Sequence, residues 1–268
     1  NAMESHHGNA LYYVIDLMFL TLQLMPILFK SIITRFKDSK QASVNRMMLI
    51  WFLLVLIFFT IAATKLPHYL MYGVPPVLIM MAYYFQRMNI KWGLGATLIG
   101  FGSLLVFLPQ LIEQAAKDEK DPYHFATLYE ASLYLPEVYY VLAGVMIFTG
   151  LILLFVNWDK TVKLFVAGLI SATTFTYALF AYAVNLQQEP IIGAAQFVKE
   201  NNLKVVTCCI EMPSFNVEAQ QLTPMREPKA GEIAFGKRHE LEDHFKELEW
   251  LYINRGVAVA KIIAVSYT

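Results

Sequence analysis

The chain has 268 residues, of which 57% are hydrophobic, 14% aromatic and only 16% charged, with a mean hydropathy of +0.47. Soluble domains carry about a quarter charged residues, so this composition excludes an ordinary soluble globular protein and points to the membrane. Lys plus Arg and Asp plus Glu each number 21, so the whole-chain charge indicates no nucleic acid and no acidic partner, and electrostatic information must lie in how the charges are distributed.

In chain order, Asn1 and Ala2 precede Met3 and read as a tag remnant, so residues 1–10 comprise that remnant and an outer loop. Met3 to Ala10 is polar, with neither a basic flank nor a small-residue cleavage site, so the first apolar segment is expected to be retained. A helix needs about 20 mostly apolar residues to cross the hydrocarbon layer, where it must satisfy its own backbone groups. Six stretches qualify: Leu11–Phe29, Met47–Thr64, Tyr69–Phe85, Trp92–Ile112, Val138–Trp158 and Leu164–Leu186. Pro75 and Pro76 predict a kink in the short third one. The fold class is therefore a multi-pass α-helical membrane protein with a six-helix transmembrane domain over residues 11–186.

Orientation follows from Lys and Arg in the connecting loops, which resist translocation. Lys30, Arg35, Lys37, Lys40, Arg46, Arg87, Lys91, Lys160 and Lys163 fall on one side. Only Lys65, Lys117 and Lys120 fall on the other, and acidic residues dilute the last two. Both termini should then face outward, which in a bacterium means a multi-pass protein of the inner membrane with periplasmic ends. The stretch Asp118 to Pro122 in the long outer loop has a disordered look.

Residues 187–268 hold nine Lys or Arg and eleven Asp or Glu and contain no further span, so they predict a small soluble α/β domain on the outer face. "EPIIGAAQFVKENN" reads as a helix with Pro190 in its first turn and Asn201 or Asn202 at its end. "LKVVTCCI" reads as a strand buried on both faces and "GEIAFGKR" as a second. Leu241, Phe245 and Leu248 recur at helical spacing. "EWLYI" and "VAVAKII" flank Asn254, Arg255 and Gly256 as a hairpin.

Several residues could carry chemistry. "TKLPHYL", Thr64 to Leu70, interrupts two apolar runs and places Lys65 and His68 at headgroup level, where a cation could meet a lipid phosphate. A snorkelling lysine and a helix-opening proline would fit equally, and Tyr69 and Tyr72 suit any aromatic belt. In "ESHHG", His6 and His7 with Glu4 could contribute to a divalent metal site, although two neighbouring side chains do not complete one; a solvated loop is the other reading. Asp16 is a charge inside a span, shallow enough for a tyrosine hydroxyl at the interface to settle it. Cys208 and Cys209 adjoin in a predicted strand, whose side chains alternate, which favours two buried free thiols over a disulfide. No Gly-rich phosphate loop, GxSxG, HExxH or paired catalytic carboxylates appear. These residues alone specify no reaction.

"TIAATKLPHYLMYGVPPVLIMMAYYF" resembles the S-x-x-K-x-K-L-P-H-Y-x-L-P signature in the C-terminal membrane half of the aminoarabinose transferase and protein O-mannosyltransferase superfamily, integral-membrane glycosyltransferases of the C-type fold. "SHHGNALYY" is similar to that family's G-H-H-G-P-x-x-Y-Y segment, and "MPSFNVEAQQL" with "GEIAFGKR" resembles its periplasmic domain. Tyr72, Gly73 and Val74 depart from the second L-P pattern, and the N-terminal half that bears the family's catalytic acidic residues has no counterpart in this sequence. The resemblance implies transfer of a sugar from a polyprenyl-phosphate carrier to a lipid or protein acceptor at the outer face, in concert with a missing N-terminal half. Lys65 would stabilise the carrier phosphate, His68 and Tyr69 would line its cavity, and a histidine of His6 and His7 could supply one metal ligand. No catalytic residue is expected in this chain. The alternative is a non-catalytic membrane subunit that binds a partner through its outer domain; uncharged later spans argue against a transporter.

Overall fold

The computed structural model describes residues 24, 27–28, 30–31, 42–62, 67–85, 92–210 and 212–265. Of the first predicted span, Leu11–Phe29, only Leu24, Ile27 and Leu28 fall within these. The chain divides into two compact units, one of residues 1–103 and 144–172, the other of residues 104–143 and 173–268.

The first unit is helical. Helix α1 (Ala42–Ile61) is followed by a 3-10 helix, Pro67–Tyr72, and by α2 (Val74–Phe85). The expected kink at Pro75 and Pro76 is instead a helix start. Both prolines stand in the first turn of α2, where a missing N–H costs nothing because the first amides of a helix have no internal partner. Helix α3 (Gly93–Ala116) begins in this unit, as does α6 (Lys160–Thr174), and the unit also takes the C-terminal part of α5 (Tyr139–Phe155).

Helices α3 and α5 cross backbone to backbone at Gly95 and Gly150. A Cβ on Gly95 would lie 2.7 Å from the Gly150 carbonyl oxygen, and one on Gly150 2.8 Å from that of Gly95. Small residues at a crossing allow such an approach, the packing mode that works where surrounding lipid removes any hydrophobic drive between helices. Two lysines of the orientation count, Lys160 and Lys163, have structural work. Lys160 Nζ donates to the Phe85 carbonyl at 3.0 Å, at the end of α2, and buried Lys163 Nζ donates to the Leu153 carbonyl at 2.8 Å, near the end of α5. Terminal helix carbonyls have no internal donor, and a lysine there satisfies both hydrogen bond and dipole.

Among the described residues two helices are long and apolar enough to cross a membrane: Gly93–Ala116 and the continuous Lys160–Glu200 of 41 residues. The apolar helices Arg46–Ile61, Val74–Phe85 and Tyr139–Phe155 are shorter. Large apolar side chains point outward along them, with Phe58, Ile61, Phe155 and Phe165 each at least 70% exposed, an arrangement costly in water and neutral in lipid.

The second unit holds α4 (Pro122–Leu128), a 3-10 turn at Ala131–Tyr134, α7 (Ala181–Glu200) and the C-terminal sheet. A π-helical stretch, Phe175–Phe180, links α6 to α7, so the helix expected to start near Pro190 is the end of one that began at Lys160. The helix ends at Glu200, with Asn202 in the left-handed conformation just beyond. Strands β1 (Val205–Thr207), β2 (Ile233–Lys237), β3 (Phe245–Asn254) and β4 (Val257–Val265) form one sheet in the order β1-β2-β4-β3. β1 runs parallel to β2 and the other pairs are antiparallel. Two short helices, α8 (Pro213–Glu218) and α9 (Arg238–His244), connect them.

Alternation along β2 and β4 builds two apolar faces. Phe235, Val257 and Val259 pack with Ile191, Ala194, Ala195 and Val198 of α7 and with Phe215, whose ring stacks on Phe235 at 3.8 Å. Ala234, Ala258 and Ile262 pack on the other face with Leu241 and Phe245. The helical spacing of Leu241, Phe245 and Leu248 is thus only partly realised. Helix α9 stops at His244, and Phe245 opens β3 opposite Val265 because a ten-residue antiparallel pairing outweighs the local period. The hairpin falls where expected, with Asn254 paired to Val257 and Arg255 in the left-handed turn conformation at φ 52°. Asp118 to Pro122 takes a defined turn rather than a disordered one: the Asp121 carboxylate accepts from the Tyr123 and His124 amides and caps α4.

Candidate functional site

The 3-10 helix Pro67–Tyr72 carries the C-terminal part of the "TKLPHYL" stretch. In a 3-10 helix residues three apart eclipse one another, so Tyr69 and Tyr72 share a face. Both rings stack on Phe59 of α1, at 4.6 Å and 6.1 Å between centroids. Leu70 is buried, and Gly73 turns the chain into α2 at a point where a Cβ would stand 3.2 Å from Val55 and 3.3 Å from Phe52. The outcome is a three-ring aromatic platform with Tyr72 largely exposed. Of the sequence-derived site residues, Tyr69 is therefore placed. Lys65 and the side chain of His68 lie outside the described residues, as do His6, His7 and Asp16. Among the described residues no group of three or more His, Cys, Asp or Glu could hold a metal ion.

The second unit contains a feature the sequence reading missed. Pro190 sits inside α7, and its absent N–H leaves the Leu186 carbonyl, four residues back, without a helical donor. Arg255, at the tip of the β3–β4 hairpin, supplies one: Nη1 donates to the Leu186 carbonyl at 2.8 Å and Nη2 to that of Asn185 at 3.2 Å. The same guanidinium pairs with Glu189 at hydrogen-bond distance and lies 3.8 Å over the Tyr134 ring. Asn185 in turn donates to the Tyr134 carbonyl at 3.2 Å. At Gly256 a Cβ would stand 2.6 Å from the Tyr123 ring. The long loop after α3 is by these contacts fastened to the hairpin tip. A signal was available in hindsight: a helix-interior proline calls for an outside donor, and Arg255 is the long cationic side chain in the hairpin turn.

Pro109 in α3 poses the same problem and finds a different answer. The Tyr139 hydroxyl donates to the Leu105 carbonyl, four residues before the proline, at 2.8 Å. Near the end of α3, an open cleft of about 630 Å³ is lined by Gln110, Glu113, Gln114, Lys117, Asp118 and Tyr129. The Glu113 carboxylate accepts from the Ser132 amide at 2.8 Å, which fixes one wall. Interspersed donors and acceptors in a cleft this size suit a polyhydroxylated or charged group.

The segment after β1 also departs from expectation. Cys208 is buried but Cys209 is exposed, and both are free thiols. Strand alternation stops at Thr207, and Cys209 takes φ 65°.

No protein-family model matches the sequence, and no curated protein matches it. Two solved structures share its fold, both of ArnT, the aminoarabinose transferase, from Cupriavidus metallidurans. The apo structure aligns over 94% of this chain with a TM-score of 0.57 and 15% identity. The structure bound to undecaprenyl phosphate aligns over 96% with a TM-score of 0.54 and 15% identity. In each case this chain spans 52% of the length of the ArnT chain.

Proposed function

We propose that this chain is the carrier-binding portion of a membrane glycosyltransferase that transfers a sugar from a polyprenyl-phosphate carrier to a lipid or protein acceptor at the periplasmic face of the bacterial inner membrane. The observation that carries this reading is the ArnT-like fold over 94% of the chain, together with a TKLPHY stretch resembling the signature in the C-terminal membrane half of that superfamily. The neighbour with undecaprenyl phosphate bound supports a carrier of that chemistry.

In this reading six helices span the membrane with both termini outside. Lys65 stabilises the phosphate as it becomes the leaving group, a charge-assisted contact that strengthens as negative charge develops. His68 and the Tyr69 platform line the path of the isoprenoid, and His6 and His7 contribute to a divalent metal site completed by residues of the partner half. The acids that activate the acceptor belong to that half as well, so this chain alone is inactive in transfer. The fastening of the loop after α3 to the C-terminal sheet supports placing both on one side of the membrane.

The test is binding of undecaprenyl phosphate to the purified chain in nanodiscs, with undecaprenol as the phosphate-free control. A charge-assisted contact contributes about 1.5–3 kcal/mol, so Lys65→Ala should weaken binding of the phosphate roughly 10- to 100-fold and leave undecaprenol unaffected. In the complete enzyme the same change should cut transfer strongly at unchanged expression. Equal affinity of Lys65→Ala and the parent chain for undecaprenyl phosphate would sink the assignment.

A further inference from the structure

Cys208 and Cys209 are the only cysteines in the chain, so any intramolecular disulfide it forms must join neighbours. In a continuing strand their side chains would point to opposite faces. Here the left-handed turn at Cys209, φ 65°, brings both sulfurs to one side, with Sγ to Sγ at 2.7 Å. Positive φ at a residue with a Cβ is uncommon and strained, so the surrounding structure must impose it. It does so through Cys208, whose amide donates to the Phe235 carbonyl at 2.9 Å and whose own carbonyl lies against Gly236, where a Cβ would stand 2.6 Å away. The buried sulfur is held by the sheet, and the exposed one is held against it.

We propose that Cys208 and Cys209 form a reversible redox modification site that closes to a vicinal disulfide by exchange with a small-molecule disulfide. The inference goes beyond the carrier-binding reading and does not depend on it. The exposed Cys209 thiolate attacks one sulfur of the oxidant, forming a mixed disulfide and releasing the first thiolate. The Cys208 thiol gives its proton to solvent and attacks the Cys209 sulfur, releasing the second. Two protein thiols are oxidised and one external disulfide is reduced to two thiols. The order of attack follows from exposure. It agrees with the Cys208 thiol being pushed up to about 12, chiefly by burial, then by the Cys209 sulfur and the carboxylates of Glu227 and Glu240. Adjacent Cα atoms stand about 3.8 Å apart, short of the roughly 4.4–6.8 Å usual across a disulfide, so the ring is strained and easily reopened.

The experiment exposes the purified full chain to oxidised glutathione, alkylates remaining thiols with iodoacetamide, digests with trypsin and weighs the peptide Val205–Arg226. The expected peptide carries neither alkyl label and is two hydrogens lighter than the reduced form, the protein stays monomeric on a non-reducing gel, and dithiothreitol restores both labels. Cys208→Ser, which lacks the resolving sulfur, should instead retain glutathione on Cys209. Retention of both labels in the parent chain, a persistent glutathione adduct on it, or a disulfide-linked dimer would each overturn the proposal.

Discussion

The helical first unit and the sheet-bearing second unit meet the same physical demand with opposite means. In the first, helices meet backbone to backbone at Gly95 and Gly150, and beside a buried set that includes Tyr84, Leu94 and Met146 they turn Phe58, Ile61, Phe155 and Phe165 outward. In the second, Phe215 and Phe235 are turned inward and almost wholly buried, and α7 packs on one face of the sheet. Water around a sheet drives burial of its apolar faces, whereas helices apolar enough to lie in lipid depend on close backbone packing and satisfied carbonyls. Backbone satisfaction is the concern common to both units: Lys160 and Lys163 serve it in the first, Tyr139 and Arg255 in the second.

That contrast can be broken most directly in the aromatic core. Phe235→Ala removes a fully buried ring stacked on Phe215 and should destabilise the C-terminal domain by about 3–5 kcal/mol. Hydrogen exchange should then accelerate across β2 and β4 while the amides of α2 keep their protection; uniform loss of protection in both would show that the units do not differ in what holds them.

The proline repair is the next largest effect. Arg255→Ala leaves the Leu186 carbonyl, which Pro190 cannot serve, without a donor, an orphan costing about 1–3 kcal/mol, and Arg255→Lys should rescue little because a point cation cannot reproduce the fork. Pro190→Ala returns an N–H to the Leu186 carbonyl, so the double variant should lose less stability than the sum of the singles, by about 0.5–3 kcal/mol in a thermal-unfolding cycle. Strict additivity would refute the repair.

In the first unit, Gly150→Ala puts a methyl group 2.8 Å from the Gly95 carbonyl and should cost about 1–3 kcal/mol, read as a lower melting temperature in detergent. Gly100 and Gly144 meet nothing within 4 Å, so alanine there should be neutral or slightly stabilising.

The smallest effect concerns Asp121. Burial alone would raise its carboxyl, but the amides of Tyr123 and His124, with His124 and Lys237 nearby, outweigh it and hold the group below the ordinary carboxylate range. The folded value is therefore depressed, so its contribution to α4 is present above the unfolded carboxylate value near 4 and is lost as pH falls through the lower folded one. Protection of the Tyr123 amide should fall in that window, and Asp121→Asn should keep the cap while abolishing the pH dependence. Asp121→Ala should cost about 1 kcal/mol at neutral pH.

Much of the architecture was legible in the sequence because it rests on composition and local period. The apolar helices starting at Gly93 and Tyr139, β2 and the turn at Asn254 to Gly256 lie where pattern places them. The "TKLPHYL" stretch stood out for the same reason, though its rings find their platform only through Phe59. What local pattern could not reach was anything settled by a distant partner. Pro190 reads as a helix start until Arg255, 65 residues further on, supplies the donor that lets the helix run through it. Phe245 reads as helical until Val265 pairs with it. Cys208 and Cys209 read as opposite faces of a strand until Phe235 and Gly236 fix where that strand ends. The sequence by itself determined which solvent each segment prefers, because transfer free energy is a property of the residues. Only the tertiary structure decided which backbone groups were satisfied and by whom, because a hydrogen bond needs a partner that sequence distance does not reveal.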